Sequence, residues 1–172
     1  ICPPLHRSFT TFRGMDDAQA SKAVAVCREY YDTTGAYENE VYEGIEDLLR
    51  DLVAAGKRLA VATSKVEYAA VEILRHFNLD HYFDVITGAD PGGELRGTKG
   101  LVIKHAVSEL RMCDGISVVM IGDREHDVHG ATENGIPCIG AGWGYGEPGE
   151  LESAGAVAVA ATVSDIRPLL LS

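Results

Sequence analysis

Two carboxylates four residues apart, Asp123 and Asp127, follow the apolar run Ser117-Val118-Val119-Met120-Ile121 in the stretch Gly122-Asp123-Arg124-Glu125-His126-Asp127. The run reads as a buried strand. A helix starting directly after it sets both acids on one side of its first turn. Two acids held there can grip one hard divalent cation, because magnesium takes one or two protein carboxylates and completes its shell with water and substrate phosphate. The competing structural role is a helix cap by Asp123, with Asp127 complementing the helix dipole.

Two further stretches carry groups suited to a phosphate. Thr63-Ser64-Lys65 ends the run Leu59-Ala60-Val61-Ala62. Its hydroxyls, with the amides opening the next helix, make a small anion cradle; the structural alternative is an N-cap by Ser64. Arg96-Gly97-Thr98-Lys99-Gly100 enters a helix after a Gly-rich loop. A lysine at a helix N-terminus is repelled by the dipole unless an anion lies nearby, so Lys99 points to a bound anion or else is a solvated surface residue. Lys104 lies more than a turn further on and is expected to face solvent.

These groups need strands and helices to converge. Residues 1 to about 40 read as helical, with Asp16 or Asp17 capping a helix through Ala20, Ala23, Val24, Cys27 and Tyr31, and Gly35 ending it. Ile45, Leu48, Leu49, Leu52 and Val53 mark another amphipathic helix stopped by Gly56. From there strands at 58–63, 83–87, 117–121, 137–141 and 157–160 alternate with helices at 67–77, 98–110, 124–134 and near Glu150, and 166–171 closes the chain. Such alternation gives an α/β fold, a doubly wound parallel sheet with helices on both faces, in which ligands sit outside the carboxyl ends of the strands.

Composition narrows the function. With 15 basic against 26 acidic residues the net charge is −11, which disfavours a nucleic-acid surface, since phosphate neutralisation needs basic clusters. No apolar run approaches the ~20 residues that span a bilayer. Cys2, Cys27, Cys113 and Cys138 are scattered without a CxxC pair, so the expectation is reduced, mostly buried thiols in a cytoplasmic protein and no zinc site. No GxGxxG follows the first strand, which excludes a dinucleotide-binding reading. The GWGYG loop, Gly142 to Gly146, is explained by turn geometry.

AVATSK, the RGTKG lysine and VVMIGDREHD, in that order, resemble motifs II, III and IV of the haloacid dehalogenase superfamily. More narrowly, PPL…SF, REYY…G, VYEGI, ILRHFNLDHYFD, GWGYG and ELESAGA resemble its phosphoglycolate-phosphatase-like branch. The resemblance covers nearly the whole chain. It implies a Rossmann-like core spanning 41–172 and an incomplete helical cap segment spanning 1–40. It further implies that Thr63, with Ser64 beside it, binds the transferring phosphoryl group and that Lys99 neutralises nucleophile and phosphate. Asp123 would ligate Mg²⁺, with Asp127 ligating directly or through water. The partner would be a small phosphorylated metabolite such as phosphoglycolate, a nucleotide or a sugar phosphate. His6, Arg7 and Arg13 are candidates for substrate contacts or for plain solvated surface.

The family's motif I, a strand ending in Asp-x-Asp that supplies the nucleophile and the general acid-base, is absent from these 172 residues. Asp16-Asp17, Asp32 and Asp80 lack the spacing or the preceding strand. In the family that strand lies between those ending at Thr63 and Asp123, so its loss leaves two interior edges unpaired. The expectation is therefore a parent protein with roughly 40 to 50 further N-terminal residues and an inactive bare chain. The alternative function is a non-catalytic phosphate- or nucleotide-binding module.

Overall fold

The computed structural model describes residues 5–91, 95–110 and 117–171, in two compact units, Ile1–Glu40 and Val41–Ser172. The first unit is helical: α1 (Leu5–Arg13), α2 (Asp17–Thr33) and a 3-10 turn at Gly35–Tyr37. Of the two candidate caps, Asp16 is the one used. Its Oδ1 accepts from the Gln19 amide at 2.8 Å, and Gln19 Oε1 accepts from the Asp16 amide at 3.1 Å. This reciprocal box satisfies two of the amides that a helix start leaves unpaired. Ala20, on the first turn of α2, is fully buried.

The second unit opens with α3 (Ile45–Ala54), which buries Leu48 and Leu52 one turn apart. Gly56, at φ 74°, supplies the left-handed residue that ends it, and the Lys57 amide returns to the Leu52 carbonyl at 3.0 Å. Then come β1 (Ala60–Val66), α4 (Glu67–His76), β2 (Val85–Ala89), α5 (Lys99–Leu110), β3 (Met120–Gly122), α6 (Glu125–Glu133), β4 (Cys138–Ala141), α7 (Glu150–Ala154), β5 (Ala158–Ala160) and α8 (Ile166–Leu171). All strand pairings are parallel, as crossover helices require.

The strands form two ladders, β1-β2 and β3-β4-β5. One apolar layer joins Leu48, Leu52, Ile139, Ala160, Val163 and Ile166, with Leu59 and Ile121 packed against it. The opposite layer joins Ile103, Val128, Ala131, Ile136, Cys138 and Leu151, with Ala62 and Met120 against it. The second layer therefore takes residues from both ladders, and the first reaches Leu59 just before β1, although β1 and β3 are not paired with each other. Exposure follows this division. Every residue of β4, flanked on both sides, is buried, whereas no residue of β1 or β3 is. Among the described residues, β1 and β3 each pair with a strand on one side only.

Several boundaries differ from the sequence reading for physical reasons. β1 runs through Thr63, Ser64 and Lys65 to Val66, with an irregular register between Ala62 and Val66. The ladder to β2 resumes at Val66–Ala89, so the strand does not end at Thr63. Val66, not Ser64, is the N-cap of α4, and no side chain caps it. β3 begins only at Met120, because its sole pairing is to the short β4. Among the described cysteines Cys138 is 3% exposed, and burial pushes its thiol up to about 11. Cys27 is half-buried, while Cys2 and Cys113 lie outside the described residues.

Candidate active site

Lys99 opens α5, whose first turn is capped by Thr98 Oγ1 accepting from the Leu101 amide at 3.3 Å. Its side chain is only 13% exposed and has two anionic or polar partners. Nζ lies 2.7 Å from Asp127 Oδ1 and donates to the Ala62 carbonyl at 2.6 Å. The electrostatic conflict of a lysine at a helix start is thus resolved within the protein by a buried carboxylate. Lys104, by contrast, faces solvent.

The approach of α5 to α6 that permits this contact depends on two glycines. A Cβ on Gly130 would lie 3.0 Å from the Gly100 amide nitrogen and 3.1 Å from the Lys99 side chain. Asn134 locks the crossing: its Nδ2 donates to the Gly100 carbonyl at 2.9 Å and to the Gly130 carbonyl at 2.7 Å.

Asp127 is 7% exposed and divides its two oxygens between two tasks. Oδ1 meets Lys99; Oδ2 accepts from the amides of Asp123 at 3.0 Å and Arg124 at 3.2 Å. It is therefore the capping acid at the start of α6 as well as the partner of Lys99. Gly122 must be a glycine here, because a Cβ would lie 2.2 Å from that of Asp127.

Asp123 is held differently. Its Oδ2 accepts from the Tyr145 amide at 2.9 Å. Its Oδ1 has no hydrogen-bond partner among the described residues. The loop between β4 and α7 is pressed onto it. A Cβ on Gly144 would lie 2.2 Å from the Asp123 Cβ, and one on Gly146 would lie 2.6 Å from the Asp123 carbonyl oxygen. This corrects the turn-geometry reading of GWGYG. Gly142, Gly144 and Gly146 do not have positive φ; close approach to Asp123, and for Gly142 to the Ala160 carbonyl at 2.9 Å, is what excludes a side chain.

Thr63 and Ser64 lie on β1 next to Ala62, whose carbonyl Lys99 holds. Thr63 Oγ1 accepts from the Lys65 amide at 3.2 Å, so that amide is engaged locally; Ser64 is exposed. The contacts Ala62–Lys99–Asp127–Asp123 thus join the first half of β1 to the C-terminal end of β3 in one continuous network. Further support comes from residues that the motifs alone did not single out. Arg96 pairs with Glu67, whose Oε2 also accepts from the Gly88 amide at 3.2 Å, tying the loop before Lys99 to β2 and α4. Glu150 accepts from Arg124 Nε at 2.7 Å and from the Glu125 amide at 2.8 Å. The side chains of His6 and Arg7 lie outside the described residues, and Arg13 is exposed.

As a metal site, this one has two carboxylates and no third acid, histidine or cysteine grouped with them among the described residues. That donor set suits a hard cation that keeps water and a phosphate oxygen in its shell; it does not suit zinc.

Parallel strands linked by helices, with the Lys99–Asp127 pair joining α5 to α6, make this a Rossmann-like α/β fold. The model of the haloacid dehalogenase-like hydrolases matches residues 3–141, and the chain belongs to that family. It is 41% identical over 172 residues to the tyrosine-protein kinase PtkA of Mycobacterium tuberculosis, covering 99% of this chain and 58% of that protein. It is likewise 41% identical over 175 residues to a 5'-nucleotidase of Pseudomonas aeruginosa, covering 100% of this chain and 77% of that one. A phosphoglycolate phosphatase of Cupriavidus necator shares 30% identity over 151 residues, 88% of this chain and 64% of that one. Among solved structures, one described as a predicted phosphatase from Clostridium acetobutylicum superposes with a TM-score of 0.86 at 41% identity, over 98% of this chain and 77% of that chain. The chain thus spans little more than half the length of its kinase relative.

Proposed function

We propose that this chain is the greater part of a Mg²⁺-dependent phosphatase that hydrolyses a small phosphate monoester through an aspartyl-phosphate. The observation that carries the reading is Lys99, whose ammonium is fixed between the Ala62 carbonyl of β1 and Asp127 Oδ1 just beyond β3. An ammonium has three N–H donors, and those contacts use two, so the third is available to an anionic oxygen brought to the strand tips. Thr63, and Ser64 beside it, supply the hydroxyls for that phosphoryl group. Asp123 Oδ1 would hold Mg²⁺, and Asp127 orients Asp123 through its amide rather than offering a second free carboxylate. When bound, Mg²⁺ offsets charge on the phosphoryl oxygens. Lys99 does the same from the other side while its own geometry stays fixed, which is electrostatic preorganisation.

The nucleophile has a place in the same reading. A strand seated between the open edges of β1 and β3 would complete one sheet, and an aspartate at its C-terminal end would emerge beside Lys99. The apolar layer that already joins Ala62 of β1 to Met120 of β3 supports that arrangement. Phosphoglycolate, 5'-nucleotides and sugar phosphates are the substrate candidates, and names carried by relatives point to the first two.

The test uses the full-length protein with an aryl phosphate and a phosphate-ester panel, with and without Mg²⁺. Mg²⁺-dependent turnover that Asp123→Asn and Lys99→Ala each reduce by at least ~10²-fold supports the reading. Metal-independent turnover, or full activity in either variant, overturns it. Tight phosphate binding without any turnover would instead favour the binding module.

A further inference from the structure

Glu150, the first residue of the ELESAGA segment, carries no role in the family resemblance, yet its oxygens gather as many contacts as those of Asp127. It opens α7, and its side chain is 12% exposed. Its Oε1 accepts from Arg124 Nε at 2.7 Å and the Glu125 amide at 2.8 Å; its Oε2 accepts from the Glu147 amide at 3.0 Å. One carboxylate thereby ties the segment that carries Asp123 to the far end of the Gly142–Gly146 loop. That loop is the one whose Tyr145 amide holds Asp123 Oδ2 and whose Gly144 and Gly146 lie against Asp123. Two independent links thus join the same pair of segments, on either side of Asp123.

We propose that Glu150 is a positioning residue for the cation site: through Arg124 and the amides of Glu125 and Glu147 it holds the Tyr145 amide on Asp123, so that Oδ1 is the oxygen presented to the metal. This rests on reading Asp123 as the metal-binding carboxylate. A neutral amide at position 150 could accept through one oxygen only, and its NH₂ would face the Arg124 guanidinium, so the loop loses one of its two fixings. Partners of this kind typically set metal affinity by 10- to 100-fold without touching the ion.

The test is Mg²⁺ binding by titration calorimetry on the full-length protein without substrate, together with hydrogen exchange at the Tyr145 amide. Glu150→Gln is expected to weaken Mg²⁺ binding by about 10-fold. Exchange at Tyr145 should accelerate by a similar factor, while amides of β2 keep wild-type protection. Arg124→Lys, which retains the charge but lacks the Nε geometry, should shift both in the same direction and serves if Glu150→Gln does not fold. Asp123→Asn is the reference. If it loses Mg²⁺ binding while Glu150→Gln and Arg124→Lys bind normally with unchanged Tyr145 exchange, the positioning role is overturned alone. If Asp123→Asn binds Mg²⁺ like wild type, the metal reading fails and the proposal falls with it.

Discussion

Lys99 Nζ and Asp127 Oδ1 lie 2.7 Å apart, with both side chains nearly withdrawn from solvent at 13% and 10% exposure. The pair crosses from the start of α5 to the first turn of α6, and removing either partner leaves a buried charge without compensation. Breaking such a pair typically costs about 3–5 kcal/mol. Lys99→Met is therefore expected to lower the urea midpoint strongly as well as remove the ammonium proposed to meet phosphate. Equilibrium unfolding separates that effect from activity measured well below the transition. A variant with wild-type stability would contradict the burial argument.

At position 127 the two oxygens allow a graded prediction. Asparagine keeps an oxygen that can still accept from the Asp123 and Arg124 amides but gives up the ion pair. Alanine gives up both, at a further cost of about 1–2 kcal/mol for the lost cap. Thermal unfolding should rank wild type above Asp127→Asn above Asp127→Ala. Equal midpoints for the two variants would show that the cap contributes nothing.

The loop over Asp123 tolerates no added carbon. Gly144→Ala would place its Cβ 2.2 Å from that of Asp123, so one of the two segments must move. Overpacking of this kind costs about 1–3 kcal/mol, and here the strain falls on Asp123, the proposed cation ligand. The expected result is weakened Mg²⁺ binding with only modest loss of stability. Gly149→Ala is the comparison, because it meets nothing within 4 Å and its φ of 79° confines the effect to backbone strain.

Glu150 also gives a pH signature. Its carboxyl is lowered to about 2, first by the Arg124 hydrogen bond and then by the amides of Glu125 and Glu147. A carboxylate whose folded value lies below its unfolded one contributes stability that is present above the unfolded value, ~4.3, and is lost as pH falls through about 2. Between those values the wild type should lose stability more steeply than Glu150→Gln, which has no proton to gain there. Acid titration of the unfolding free energy checks this; parallel curves for the two proteins would contradict it.

The residues that carry charge were legible from their spacing, and the contacts that aim them were less so. Lys99 was conspicuous because it stood at a helix start that disfavours a cation, and the structure resolves the conflict with Asp127. The expectation of unpaired interior edges came from the family resemblance, not from any local pattern; the described strands form two separate ladders. By contrast, the Tyr145 contact to Asp123 is made by a backbone amide, which every residue but proline has, so no side-chain pattern reveals it. The alternating glycines of Gly142-Trp143-Gly144-Tyr145-Gly146 were the available signal, and they mark close approach rather than left-handed turn positions. Glu150 lies 26 residues from Arg124, beyond any local motif. The end of β1 was misplaced because Thr63 and Ser64 looked like a helix start, whereas the ladder to β2 carries the strand on to Val66.

The most direct measurement is a crystal structure of the full-length protein soaked with Mn²⁺ and a phosphate analogue, with Mn²⁺ located by its anomalous signal. The predicted result is one Mn²⁺ coordinated by Asp123 Oδ1, with the oxyanion within hydrogen-bond reach of both Lys99 Nζ and Thr63 Oγ1. A cation elsewhere, or an oxyanion that meets neither Lys99 nor Thr63, would contradict the account.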